Sequence, residues 1–381
     1  MIRQSGATLM FRGFTAFSFF LLLLADAPAQ GIEGVQEEVA HYLRQEIDSG
    51  TVVGAQVLVG GPRLRDNQPI NLGTIGPDDP RPVSDETLFC IASCSKPVAS
   101  AVIFTLLDSR RMRLNQPVGE LIAELSSPML SDGQPARSPD LRELLSHRGG
   151  IYSQMQKPTA DQLAAIRNFR LSLDESVAII AKQPLAATPG TAYAYSGAGY
   201  CLVGAMAERA TGKDFETLLQ ENLCRPLGMT STTYFPTRRS FDEIAAGGKS
   251  HIQQPHLLGD ELKLPLIGGS LYTTASDMER FARMVTFQGR GGGRPVLSRM
   301  AFRYFVSPVA PNQPYGYGWL LTKRAGHVVA VSHNGELPPF QSAIRINLQE
   351  KTYKIVFWTL AKPGDIERNS RVRNKIYSLL Q

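Results

Sequence analysis

The sequence predicts an α/β fold, α+β in the strict sense. One antiparallel sheet is built from both chain ends and flanked by helices, and an all-helical lobe is inserted between them. Three observations predict it. Strand-like apolar runs fall near the start, residues 51–60, and again over residues 317–360. The stretch between them carries helical spacing. A chain of 381 residues, 43% hydrophobic and 19% charged, is long enough to bury a large core.

The elements follow in order. Residues 1–29 are set apart from the fold. Arg3 and Arg12 precede the apolar run 14–25, and Ala27-Pro28-Ala29 offers a small-x-small site, the layout of a secretory signal peptide. The run is short for a membrane span, so a periplasmic or secreted protein with no span after cleavage is expected, an uncleaved anchor being the alternative. Residues 34–49 form an amphipathic helix with Val35, Val39, Leu43 and Ile47 on one side. Residues 51–60 and 69–75 read as a hairpin, and residues 78–82 as a loop. The apolar run from Val98 to Leu107 is apolar nearly all round, as in a buried helix. Short helices are expected over 117–125 and 140–146, a cover over 151–172, and helices over 173–183, 198–211, 215–223 and 275–287, the last capped by Ser276 or Asp277. Strands at 317–321, 327–332, 340–348 and 351–360 precede a closing helix at 367–380. The mature chain, 30–381, is then one domain. Its sheet lobe takes about 30–110 and 290–381, and its helical lobe about 111–289.

Composition narrows the function classes. The formal charge of +6 is scattered, without a dense patch or interleaved aromatics, so no nucleic-acid partner is implied. Cys90, Cys94, Cys201 and Cys224 sit in apolar settings and read as buried thiols, with disulfides the alternative open to an exported chain. None has metal-ligand spacing with a histidine, and the glycine run 289–293 lacks the Lys-Ser/Thr pair of a phosphate loop. No cofactor and no metal are expected.

One stretch carries chemistry: Ile91-Ala92-Ser93-Cys94-Ser95-Lys96-Pro97. A helix starting near Ser93 puts the Lys96 amine beside the Ser93 hydroxyl, one turn on. Pro97 fits because it falls in the first turn. Two further motifs lie far along the chain: Tyr195-Ser196-Gly197, and His333-Asn334-Gly335 at the end of a strand. With the phrases Leu144-Leu145-Ser146-His147, Gly268-Gly269 and Tyr315-Gly316-Tyr317-Gly318-Trp319, they resemble the serine β-lactamase and penicillin-binding protein-like superfamily, in its class C, DD-carboxypeptidase and esterase branch.

The resemblance implies a β-lactamase/transpeptidase-like fold and a serine hydrolase working through an acyl-enzyme. Ser93 would be the nucleophile, and Lys96 and Tyr195 would manage its proton, either of them as the base. The backbone N–H groups of Ser93 and Glu336 would form the oxyanion hole. Gly197, His333, Asn334 and Gly335 would line the substrate, Gly335 by leaving room for it and His333 by bonding near Tyr195 or a substrate carboxylate. His147 reads as structural. Two departures shift the expected substrate. Gly197 stands where the family usually has asparagine, and His333 where class C lactamases usually have lysine. Both favour an ester, or a D-amino-acid amide or peptide, over a β-lactam. A non-catalytic binding or assembly protein is the alternative, and oligomeric state is left open.

Overall fold

The computed structural model describes residues 32–62, 68–248, 254–310 and 312–381. The expected signal peptide lies outside the described residues. The architecture rests on seven antiparallel strands: β1 (Val52–Gly60), β2 (Ile70–Gly76), β3 (Asp79–Pro82), β4 (Leu320–Arg324), β5 (His327–Leu337), β6 (Phe340–Asn347) and β7 (Thr352–Leu360). Their order is β3-β2-β1-β7-β6-β5-β4, so the two chain ends meet at β1 and β7, where Val57 faces Val356. All of β1 is buried, as suits a central strand covered on both faces. The expected loop 78–82 is the edge strand β3, and Pro80 and Pro82 are tolerated there because an edge needs fewer ladder donors.

Alternation sorts the sheet residues into two cores. Val57, Val59, Val356 and Trp358 point to one face, where helices α1 (Ile32–Asp48) and α8 (Ile366–Leu379) supply Val39, Leu43, Val372 and Ile376. Leu58, Ile355 and Phe357 point to the other face, against α2 (Ser95–Asp108) with Val98, Val102 and Phe104. As its composition predicts, α2 is buried on nearly every side. The inserted lobe adds α3 (Leu141–Leu145), α4 (Ala160–Arg167), α5 (Leu173–Ala181) and α6 (Gly197–Thr211). Among the described residues no helix is long and apolar enough to cross a membrane, and the four cysteines are buried free thiols.

Several details differ from the sequence reading. Helix α7 (Ala275–Thr286), expected in the helical lobe, packs on β1 and β7, so the sheet lobe claims it. Its cap is Thr274, whose side chain accepts the Asp277 N–H; Asp277 instead takes bonds from Ser231 and Thr232. The expected cover 151–172 is tied to the core: it carries the Thr159-capped helix α4 and buries Ile166 and Phe169. Residues 117–125 form two 3-10 turns rather than a helix. Strand β5 continues to Leu337, so His333-Asn334-Gly335 lies inside a strand, not at its end.

That longer strand presses on the start of α2. A Cβ on Gly335 would stand 2.1 Å from Ser342 Oγ and 2.3 Å from the Ile91 carbonyl oxygen. The space a side chain would need is therefore taken by protein, not left for substrate. Gly335→Ala is expected to lose roughly 1–3 kcal/mol of stability through overpacking, read as a lower urea midpoint at unchanged slope. Gly34→Ala, with no described residue within 4 Å of its added Cβ, is the control. An unshifted midpoint for Gly335→Ala contradicts this contact.

Candidate active site

Ser93 sits in a single 3-10 turn, Ala92–Cys94, that runs into α2. Ala92, just before it, has a φ of +46°, a left-handed conformation that costs a side-chain-bearing residue about 1–3 kcal/mol. The neighbours hold the turn there. Ser342 Oγ donates to the Ile91 carbonyl at 2.6 Å, and Ser95 Oγ to the Ala92 carbonyl at 2.5 Å. Among the described residues no side chain caps α2, so the Ser93 hydroxyl is not spent on the helix N-terminus.

One turn on, Lys96 is only 2% exposed. Its Nζ donates to the Gly268 carbonyl at 2.7 Å and lies 3.3 Å from Ser93 Oγ. The same nitrogen is 4.6 Å from the centre of the Tyr195 ring and 5.3 Å from that of Tyr200. Among the described residues no carboxylate pairs with it. Burial therefore lowers its pKa from 10.5 to about 7. A neutral amine bonded to one carbonyl keeps a lone pair, and Ser93 is the hydroxyl within its reach. Gly268 permits the approach: a Cβ there would be 3.0 Å from Lys96 Cγ.

Tyr195 completes the group. Burial pushes its phenol well above 10, with the nearby Ser93 hydroxyl pulling the other way. The phenol thus keeps its proton at pH values where the Lys96 amine is already free to accept one.

The strand motif behaves differently from the expectation. His333 is 4% exposed, and its ring centre is 6.4 Å from that of Tyr195. Its Nδ1 lies 2.6 Å from the Asn334 carbonyl, so this nitrogen carries the hydrogen. Its Nε2 is then the acceptor for the Tyr315 hydroxyl, at 3.0 Å. Burial first, then the nearby Lys96, lowers its pKa to about 3. Both ring nitrogens are engaged with protein, and the ring is neutral. Beyond Ser332, β5 has no β4 partner. Alternation of the ladder turns the N–H of Asn334 and Glu336 toward that open edge, because Val329, of opposite parity, bonds on the other side. The Glu336 side chain is held outward by Arg373 at 2.6 Å.

Gly197 begins α6, and its N–H is already engaged: Gln154 Oε1 accepts it at 2.9 Å. A Cβ at Gly197 would be 3.7 Å from that same oxygen. The Gln154 carboxamide therefore occupies space that a longer side chain at 197 would fill. Sequence reasoning missed Gln154, which no local pattern marks. It also missed the roles of Tyr315 and the Gly268 carbonyl, although both lie in phrases that carried the resemblance.

The sequence model described as Beta-lactamase matches residues 39–377, nearly the whole described chain. The chain belongs to the Beta-lactamase family. Members of this superfamily are serine hydrolases that act by acyl transfer. Protein Rv1367c of Mycobacterium tuberculosis is 28% identical, over 68% of this chain and 69% of that protein. Esterase EstB of Burkholderia gladioli is 31% identical, over 50% of this chain and 48% of the esterase. Among solved structures, EstCE1, described as a hydrolase with promiscuous acyltransferase activity, superposes with a TM-score of 0.73 at 19% identity, covering 91% of this chain and 99% of that one. At that identity the likeness speaks for the fold alone, and it agrees with an antiparallel sheet flanked by helices.

The Lys96 environment sets a pH dependence. A base must be unprotonated, so acylation of the enzyme is expected to rise as pH passes about 7 and to level off above it. Lys96→Arg, charged throughout, should remove the rise and slow acylation by roughly 100- to 10,000-fold. Stopped-flow bursts with a nitrophenyl ester between pH 5 and 9 provide the check, and a flat wild-type profile speaks against the assignment.

Proposed function

We propose that the protein is an exported serine hydrolase that forms an acyl-enzyme on Ser93 and prefers uncharged carboxylic esters, with D-amino-acid amides second and β-lactams last. The observation that carries the preference is His333. A peptide C-terminus and a β-lactam both present a carboxylate. The strand position that a lysine would use to meet it holds a neutral, buried histidine with both nitrogens occupied. The esterase among the similar proteins supports the same reading.

In this mechanism neutral Lys96 takes the Ser93 proton as Oγ attacks the substrate carbonyl carbon. The carbonyl oxygen becomes an oxyanion, received by the N–H groups of Ser93 and Glu336; losing one such donor costs about 100- to 1,000-fold. Tyr195 passes a proton to the departing alkoxide and is reprotonated from Lys96. An ester of Ser93 and a free alcohol result. Water then attacks that ester with the same groups in reversed roles, releasing the acid. Export rests on the layout of residues 1–29, and N-terminal sequencing of exported protein should begin at Gln30; recovery of an intact leader argues against it.

Intact-mass spectrometry tests the chemistry. Wild-type protein mixed with a nitrophenyl ester should gain the acyl mass, and Ser93→Ala should not. A nitrophenyl ester should be turned over at least about 100-fold more efficiently than a D-alanyl-D-alanine peptide or a cephalosporin, the scale of losing a charge-assisted contact of about 3 kcal/mol. Labelling that survives Ser93→Ala sinks the nucleophile. Faster turnover of the carboxylate substrates sinks the preference.

A further inference from the structure

His147 stands just before Arg148-Gly149-Gly150 and looks, in sequence, like a turn residue. The structure gives it two costs that a turn residue would not carry. Its φ is +59°, the left-handed region where glycine sits without strain. Its ring is 3% exposed, and Nε2 is buried with no hydrogen-bond partner among the described residues. A leucine or phenylalanine would fill the same space without leaving a donor unsatisfied.

What the imidazole gains is its other nitrogen. Nδ1 accepts the Ser196 N–H at 3.1 Å, which fixes the hydrogen on Nε2 and explains why that donor is the one left over. The backbone carbonyl of the same residue accepts the Ala194 N–H at 2.8 Å. One residue thus holds the chain on both sides of Tyr195. Its ring also lies against the phenol, with centres 4.3 Å apart, and is backed by Tyr315 at 4.8 Å and Tyr200 at 5.3 Å. The ring is held in its neutral form, well below the usual histidine range, by burial and then by Lys96 and His333. The neutral form is the one that keeps Nδ1 an acceptor; an added proton there would face the Ser196 N–H donor to donor.

We propose that His147 is the positioning residue for Tyr195, clamping Ala194 and Ser196 through its carbonyl and its Nδ1 so that the phenol stays on Ser93. The inference rests on Tyr195 having the role given to it under the proposed function. The residue touches neither substrate nor reacting atoms.

The position of the acceptor decides the test. In His147→Asn, Oδ1 falls near the place of Nδ1, and asparagine tolerates the left-handed backbone. In His147→Gln, Oε1 reaches toward the place of Nε2 instead, and His147→Leu has no acceptor. Each full-length variant is assayed for burst acylation by a nitrophenyl ester, with kcat and KM resolved, and for its melting temperature. The Asn variant should stay within about threefold of wild type in kcat. The Leu and Gln variants should fall by roughly 10- to 100-fold in kcat, the scale of misplacing a reacting group by about an ångström, with KM changed less than about twofold. Wild-type kcat in the Leu variant overturns the proposal, and so does an Asn variant as slow as Leu. Should the Leu variant fail to fold, Gln against Asn decides, and equal rates overturn it. Ser93→Ala and Tyr195→Phe run in parallel. Turnover that persists in those two refutes Ser93 as the nucleophile and Tyr195 as its proton carrier, a result distinct from any His147 outcome.

Discussion

An amine held out of water without a carboxylate is the constraint on which the site depends. Lys96 is carried into the interior by a helix buried on nearly every side, and its firm bond is to the Gly268 carbonyl. A depression from 10.5 to about 7 amounts to roughly 5 kcal/mol against the charged form. That cost is what makes the lysine a base near neutral pH. An aspartate or glutamate beside Nζ would relieve it, and would also keep the amine protonated and useless to Ser93. The aromatic faces of Tyr195 and Tyr200 pack around the amine without supplying a full negative charge.

The fold explains how groups so far apart in sequence converge. The seven-stranded sheet joins both ends of the chain, so β5, from the last sixth of the sequence, lies against the turn that carries Ser93. Contact there is close enough to require Gly335, Ser342 and a left-handed Ala92. The helical lobe delivers Tyr195 and Gln154 from the opposite side, and the segment before α7 delivers the Gly268 carbonyl. Ser93 is thus set between two lobes whose residues meet only in the folded chain.

Much of this was legible in the sequence, and the reasons differ by element. The buried α2, the β1–β2 hairpin and the closing strands follow from apolar periodicity over many residues, a signal that survives tertiary packing. The pairing of Ser93 with Lys96 is a local helical relation and needed no fold. Edge strand β3 was hidden because two prolines read as loop, while an edge has half its ladder unpaired. The Thr274 cap was missed by two to three positions because Ser276 and Asp277 are also good caps, and tertiary bonds to Ser231 and Thr232 claim Asp277. The two roles least visible were those of His333 and Gln154. Nothing near residue 333 announces that Tyr315 will occupy its Nε2, and nothing near 154 places its amide against Gly197. Both depend on contacts between segments set by the packing of the two lobes.

The depressed lysine is the premise beneath the mechanism, and it can be observed without any substrate. The protein would be produced with lysine labelled at the ε carbon with carbon-13, the Lys96 signal identified by its loss in Lys96→Arg, and its shift followed from pH 5 to 11. A midpoint near 7 is predicted. A midpoint near 10.4, the value of a solvated lysine, would show that Lys96 stays charged under working conditions and would contradict its place as the base for Ser93.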